Sequence, residues 1–171
     1  MQKSGGRFIF LDIDGVLNRG HDSSKGGFQW SAPECVSALN KITDTTGAHI
    51  VISSAWRHSH TLNGLREVLS EWGVTGSVVD VTPAHLMGPF DEEEGRNLMV
   101  PRTEEIDWWL RKEPGEVADF VILDDNDPQI GSDFDHPMPH LESHFVLTDT
   151  RVGLTDELAD RAIQILEIPH K

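Results

Sequence analysis

Two aspartates two residues apart, Asp12 and Asp14, close the apolar run FIFL at Phe8 to Leu11 and lead into Gly15, in the stretch FIFLDIDGVLN. The run reads as a buried parallel strand. Side chains at positions i and i+2 of a strand share a face, so both carboxylates project from its carboxyl end. Open α/β sheets place their sites beyond that end of their strands. Gly15 permits the tight turn that follows. Taken alone, Asp and Gly after a strand describe no more than a turn. The pattern recurs, however, in IVISSAWR (Ile50 to Arg57) and DFVILDDNDP (Asp119 to Pro128), two further apolar strands that end in polar groups: Ser53 and Ser54 in one, Asp124 and Asp125 in the other. Arg102 is expected just before a helix capped by Thr103. There, free backbone N–H groups and the helix dipole attract anions, and a guanidinium adds a fork of donors matched to phosphate; an ordinary surface arginine is the alternative. Four clustered carboxylates would repel one another and any phosphate dianion, so the set makes sense only around a cation. Oxygen ligands alone select Mg²⁺.

In its order DxD, Ser, Arg, DD, the sequence resembles the haloacid dehalogenase (HAD) superfamily of aspartate-nucleophile phosphatases, from Phe8 to about Leu166. The wording SSAWR, RTEEIDWWL, VILDD and a late LTD followed by GLT is most similar to the small capless domains associated with RNA repair proteins. The resemblance implies Mg²⁺ held by a carboxylate oxygen of Asp12, the backbone carbonyl of Asp14 and a carboxylate of Asp124, with Asp125 supporting this shell. It also implies Asp12 as nucleophile, forming an acyl phosphate that water then hydrolyses, which splits one difficult displacement into two easier ones. Asp14 would protonate the leaving oxygen and later take a proton from the attacking water. Ser54 and Arg102 would hold the phosphoryl oxygens. Neighbouring strand residues face opposite ways, and the family's serine or threonine is commonly followed by a small residue and sometimes a tryptophan. Ser54, before Ala55 and Trp56, is therefore preferred, with Ser53 as the alternative. The family usually has lysine where this chain has Arg102; either binds phosphate, so the departure bears on geometry and leaves the reaction class intact.

The elements that must position these groups alternate strand and helix, which predicts a parallel sheet of about five strands with helices on both faces, a three-layer, Rossmann-like α/β fold. After the first strand, Arg19 to Trp30 is a Gly- and Ser-rich connection expected to lie over the site as a flap. Ser31 and Glu34 have the spacing of a capping box, and Val36, Leu39 and Ile42 form the buried stripe of a helix ending before Gly47. A strand near His49 to Ser53, a helix over Thr61 to Trp72 stopped by Gly73, and a strand over Ser77 to Val81 follow. Residues 82–101, with the acidic run Asp91 to Glu94, read as a mobile, solvated loop without a folded cap. Ile106, Trp109 and Leu110 share a helix face. Strands at Phe120 to Leu123 and Phe145 to Leu147, then a helix from Asp156 to Glu167 capped by Thr155, complete the series.

The 171 residues are one domain's worth, and a single cysteine, Cys35, excludes an intramolecular disulfide. No apolar run approaches the ~20 residues that span a bilayer, and the amino terminus lacks an apolar signal core, so a reducing cytoplasm and no membrane partner are expected. A net charge of −15 works against tracking a polyanion over many phosphates. If nucleic acid is the substrate, only its end is gripped. Without a cap the cleft is open and admits large or terminal phosphates; sugar or nucleotide phosphates are the small-metabolite alternative. Trp30 and Trp56 could stack on a base or pack in the core, Arg57 and Arg19 could reach a phosphodiester or remain solvated, and Asp149 could line the cleft or make a turn. His136, His140 and His144 have a zinc-like spacing, but Pro137 and Pro139 break the helix that would give it meaning. A response-regulator-like phosphoacceptor also carries an acidic cluster on a parallel sheet. There the acidic pair precedes the phosphoacceptor, the reverse of the order here. A catalytically dead binding domain is disfavoured because no motif position is missing.

Overall fold

The computed structural model describes residues 5–19, 30–84, 86, 88, 90–98, 100–112, 117–126 and 138–167. In chain order the elements are β1 (Gly6–Leu11), α1 (Pro33–Thr46), β2 (His49–Ile52), a 3₁₀ turn (Ala55–His58), α2 (Leu62–Glu71), β3 (Val78–Val81), β4 (Phe90–Asp91), β5 (Arg96–Asn97), α3 (Arg102–Lys112), β6 (Val117–Asp124), α4 (Pro139–Glu142), β7 (Phe145–Leu147) and α5 (Asp156–Glu167). A five-stranded sheet runs in the order β3-β2-β1-β6-β7, and all its neighbouring pairs are parallel.

The near-continuous apolar strands are those of a sheet buried on both faces, and their alternation divides the core in two. Ile9, Leu11, Ile50, Ile52, Val121 and Leu123 pack on one side with Leu39 and Ile42 of α1, Leu65 and Leu69 of α2, and Leu166 of α5. Phe10, Val51 and Ile122 point the other way, against Ile106 and Trp109 of α3 and Leu141 of α4. Helices thus cover both faces, as the sequence pattern predicts. Each such fully buried aliphatic or aromatic side chain contributes about 1.5–3 kcal/mol. The chain first moves outward from β1 to β2 and β3, then crosses to β6 on the other side of β1. Connections therefore diverge above the carboxyl ends of β1 and β6, the position at which open α/β sheets form their ligand crevice.

Several local expectations change. α1 begins at Pro33 with Ala32 as its cap and no side-chain cap bond, so Ser31 and Glu34 do not form a capping box. Proline at the first helical position has no N–H to satisfy, and Glu34 pairs with Arg19 instead. α3 already includes Arg102, because the Pro101 carbonyl accepts the N–H groups of Glu104 and Glu105 at 3.0 and 3.3 Å. Thr103 lies inside the first turn and does not cap it. The insertion at 82–101 carries a two-stranded antiparallel hairpin, β4–β5. The acidic run is its turn: Asp91 Oδ1 accepts the N–H groups of Glu93 and Glu94, and Gly95 closes at φ 64°. Among the described residues the insertion holds no larger cap. The flap expected between Arg19 and Trp30 lies, apart from those two residues, outside the described residues. Thr155 does cap α5, accepting from Leu158 N at 3.2 Å. No helix among the described residues is long and apolar enough to cross a membrane.

Candidate active site

Parallel register carries the strand ends to one level. Asp12 N donates to Leu123 O, Ser53 N to Leu11 O and Thr148 N to Asp124 O, each at 2.9 Å. This places Asp12, the serine pair and the Asp124–Asp125 pair around the mouth of the crevice. Asp12, Asp124 and Asp125 each offer a carboxylate oxygen, all within 4.8 Å of one another. Arg102 Nη1 reaches in from the first turn of α3 and contacts Asp12 Oδ2 at 3.1 Å and Asp124 Oδ2 at 2.7 Å.

The electrostatics follow from crowding in a dry place. Burial pushes the Asp124 carboxyl up to about 6; Arg102 opposes this and the Asp12 charge adds to it. Burial also raises Asp125, against the bond from Thr150 Oγ1 to its Oδ2 at 2.7 Å. Burial pulls Arg102 down, but Asp12 and Asp124 outweigh it and raise the guanidinium above its ordinary value. One arginine against three close carboxylates leaves a hard-oxygen cluster with an excess of negative charge, and its chemistry fits a divalent cation.

Asp14 faces a different environment. Its Oδ1 accepts from Asn18 Nδ2 and its Oδ2 from the indole Nε1 of Trp56, both at 2.9 Å. Trp56, expected to stack on a base or fill the core, has its ring stacked on His60 and edge-on to Trp72 while its N–H turns to Asp14. Gly15 has φ +75°, and a Cβ there would stand 2.2 Å from Asp125 Oδ2. Only glycine lets the turn after β1 lie against the second acid of the pair. Thr148 Oγ1 at the end of β7 ties that turn down through Gly15 O at 2.8 Å.

The two serines, both fully buried, part company. Ser54 Oγ caps the 3₁₀ turn by accepting Trp56 N at 3.3 Å, whereas Ser53 Oγ has no partner. Arg57 does not face solvent: its side chain is 3% exposed, paired with Glu105 of α3, and donates to Ser53 O and Ser54 O at 2.7 Å each. A guanidinium so engaged is not open to a phosphodiester. Arg19 is bound to Glu34 and to Val152 O. Trp30 is 65% exposed and remains free to stack. Asp149 makes a turn, its carboxylate accepting from Arg151 N at 2.8 Å. His140 pairs with Asp107, and His144 lies on the Phe120 ring with its Nδ1 against Phe120 O, so the two join no common ligand set; His136 lies outside the described residues.

Asn18, Thr148, Thr150 and Glu105 escape a reading of the sequence. Each is a common polar residue whose partner is set by tertiary proximity. Asn18, four residues after Asp14, had the nearest thing to a signal. Residues 8–159 match the model of a family described as the HAD domain in Swiss Army Knife RNA repair proteins. No curated protein and no solved structure matches the chain.

Proposed function

Because the chain belongs to the family of HAD domains in Swiss Army Knife RNA repair proteins, we propose that it is a Mg²⁺-dependent phosphomonoester hydrolase acting on the terminal phosphate of a nucleotide or polynucleotide. In this reading the 171 residues make one such domain, with 82–101 as its insertion. The observation that carries it is the Arg102 guanidinium bridging Asp12 and Asp124 beside Asp125. This arrangement supports a reading in which nucleophile, cation site and phosphate-binding guanidinium lie together.

Asp12, Asp124 and Asp125 would hold Mg²⁺, together with the Asp14 carbonyl that the family resemblance assigns to it. When bound, the ion neutralises the cluster and admits a phosphate dianion. Asp12 attacks phosphorus, and the bond to the leaving oxygen breaks as Asp14 hands that oxygen a proton. Water then attacks the aspartyl phosphate, Asp14 takes its proton, and inorganic phosphate leaves with Asp12 restored. Arg102 and a serine hydroxyl hold the phosphoryl oxygens. Ser53 Oγ is the hydroxyl without a partner and Ser54 Oγ is engaged in the turn, which favours Ser53 for this role.

The substrate class draws support from the family's occurrence in RNA repair proteins and from an insertion whose described residues hold only a two-stranded hairpin. The charge of −15 restricts the grip to the terminus. The test is hydrolysis of a mononucleotide, a dinucleotide and a longer strand at two salt concentrations, with and without chelator, for wild type and Asp12→Asn. Turnover should need Mg²⁺ and Asp12, plateau by about two nucleotides, and fall with salt no more steeply than a slope of about −0.7 per phosphate held. Turnover by folded Asp12→Asn or after exhaustive chelation refutes the chemistry. Faster turnover of a sugar phosphate refutes the substrate class.

A further inference from the structure

Asp14 is gripped from both sides by groups that can only donate. Trp56 supplies an indole N–H, which can only donate, and it fixes the position of Asp14 Oδ2 at 2.9 Å. Asn18 supplies its Nδ2, and the orientation of its amide is not free: Asn18 Oδ1 accepts Gly15 N at 2.9 Å, so the nitrogen is the end that meets Asp14. Asn18 is fully buried.

Trp56 is itself held in place. Its ring stacks on His60 at 5.3 Å with an interplanar angle of 19° and meets Trp72 edge-on at 5.5 Å. Its backbone N–H is bound by Ser54 Oγ, and its carbonyl lies 3.1 Å from His60 Nδ1. The contact to Asp14 spans 42 residues of sequence. It joins the turn after β2, which presents the serine hydroxyls, to the turn after β1, which presents both catalytic carboxylates. A general acid works only within hydrogen-bond reach of the oxygen it protonates, and a displacement of about 1 Å is enough to cost on the order of 100-fold.

From this geometry we infer that Trp56 is a positioning residue for leaving-group protonation, its indole N–H fixing the Asp14 carboxylate relative to the phosphate-binding turn. The inference rests on the reading of Asp14 as general acid. It assigns Trp56 a role in the protonation step, distinct from stacking on a base.

The test uses Trp56→Phe, which keeps an aromatic ring against His60 and Trp72 but loses the N–H. A second variant carries 3-benzothienylalanine at position 56, an isostere of tryptophan with sulfur in place of N–H, for the case in which the phenylalanine variant fails to fold. Two substrates are compared: a nucleoside monophosphate, whose alkoxide leaving group needs a proton, and an aryl phosphate, whose phenolate leaves without one. Because hydrolysis of the aspartyl phosphate is common to both substrates, the comparison is made on kcat/KM, which reports the step in which the leaving group departs; kcat/KM on the nucleotide should fall at least about 10-fold more than on the aryl phosphate. Equal losses of kcat/KM on both substrates reduce Trp56 to a packing residue and overturn the inference.

The contact is checked apart from catalysis. The Trp56 indole resonance in a ¹H–¹⁵N spectrum, assigned by its disappearance in Trp56→Phe, should move in Asp14→Ala by more than those of the other tryptophans. An unmoved resonance overturns the inference even if the protein is a phosphatase. Wild-type protein that hydrolyses neither substrate refutes the proposed function and with it the catalytic role of Trp56, while a moved resonance then records a structural contact alone.

Discussion

Removing one member of the Arg57–Glu105 pair should destabilise the protein more than almost any other single change to its charged residues. Both side chains are nearly dry, 3% and 10% exposed. Burial pulls the Arg57 guanidinium down and pushes the Glu105 carboxyl up, and each is pulled back by the other's charge. Breaking such a pair leaves an uncompensated charge in the interior, at roughly 3–5 kcal/mol. Arg57 also donates to Ser53 O and Ser54 O at 2.7 Å. Charge-assisted bonds of this kind contribute about 1.5–3 kcal/mol each, so Arg57→Met should cost more than Glu105→Leu. At about 2–4 °C per kcal/mol for a chain of this size, 3–5 kcal/mol lowers Tm by roughly 6–20 °C. The double variant Arg57→Met/Glu105→Leu leaves no stranded charge and should melt above the sum of the two losses, a positive coupling in the mutant cycle. Thermal unfolding followed by circular dichroism measures all four proteins. Single variants melting within about 2 °C of wild type, or strictly additive losses, refute the argument.

Metal binding should show a pH dependence whose sign follows from Asp124. Its folded-state value is raised from 3.8 to about 6, so the metal-free native state holds more protons than the unfolded chain between those values. The stability this group contributes is therefore complete below its unfolded value and is lost as pH rises through about 6. A divalent cation binds the ionised form. Mg²⁺ at about 100 times its Kd should add about 2.7 kcal/mol, roughly 5–11 °C in Tm, at pH ~7.5, and clearly less at pH ~5. Equal gains at both pH values, read by scanning calorimetry, contradict this. Gly15→Ala places a Cβ 2.2 Å from Asp125 Oδ2 at a φ of +75°, so it should cost about 1–2 kcal/mol in backbone strain and weaken Mg²⁺ affinity at least about 10-fold by displacing Asp125. Isothermal titration giving wild-type affinity for the alanine variant sinks that account.

What could be read from the sequence was whatever depends on local pattern. Apolar runs ending in acid or serine mark strands and their carboxyl ends, because burial on both faces demands continuous apolar residues and side-chain alternation sends Asp12 and Asp14 out together. Leu39, Ile42, Leu65 and Leu69 sit at helical spacing, and all four are buried against the sheet as that spacing requires. The acidic cluster followed from these elements, since parallel strands in one sheet must bring Asp12, Asp124 and Asp125 to one edge.

Tertiary structure alone decided which polar side chains face one another. Arg57 and Trp56 are adjacent in sequence and both suited to a nucleic-acid end, yet one is buried against Glu105 and the other holds Asp14. No periodicity distinguishes those fates, because each depends on the distance between turns that are 42 or 48 residues apart along the chain. Ser53 and Ser54 are chemically identical in the sequence. Only the 3₁₀ turn at Ala55–His58, which takes up the Ser54 hydroxyl as its cap, distinguishes it from Ser53 Oγ, which has no partner.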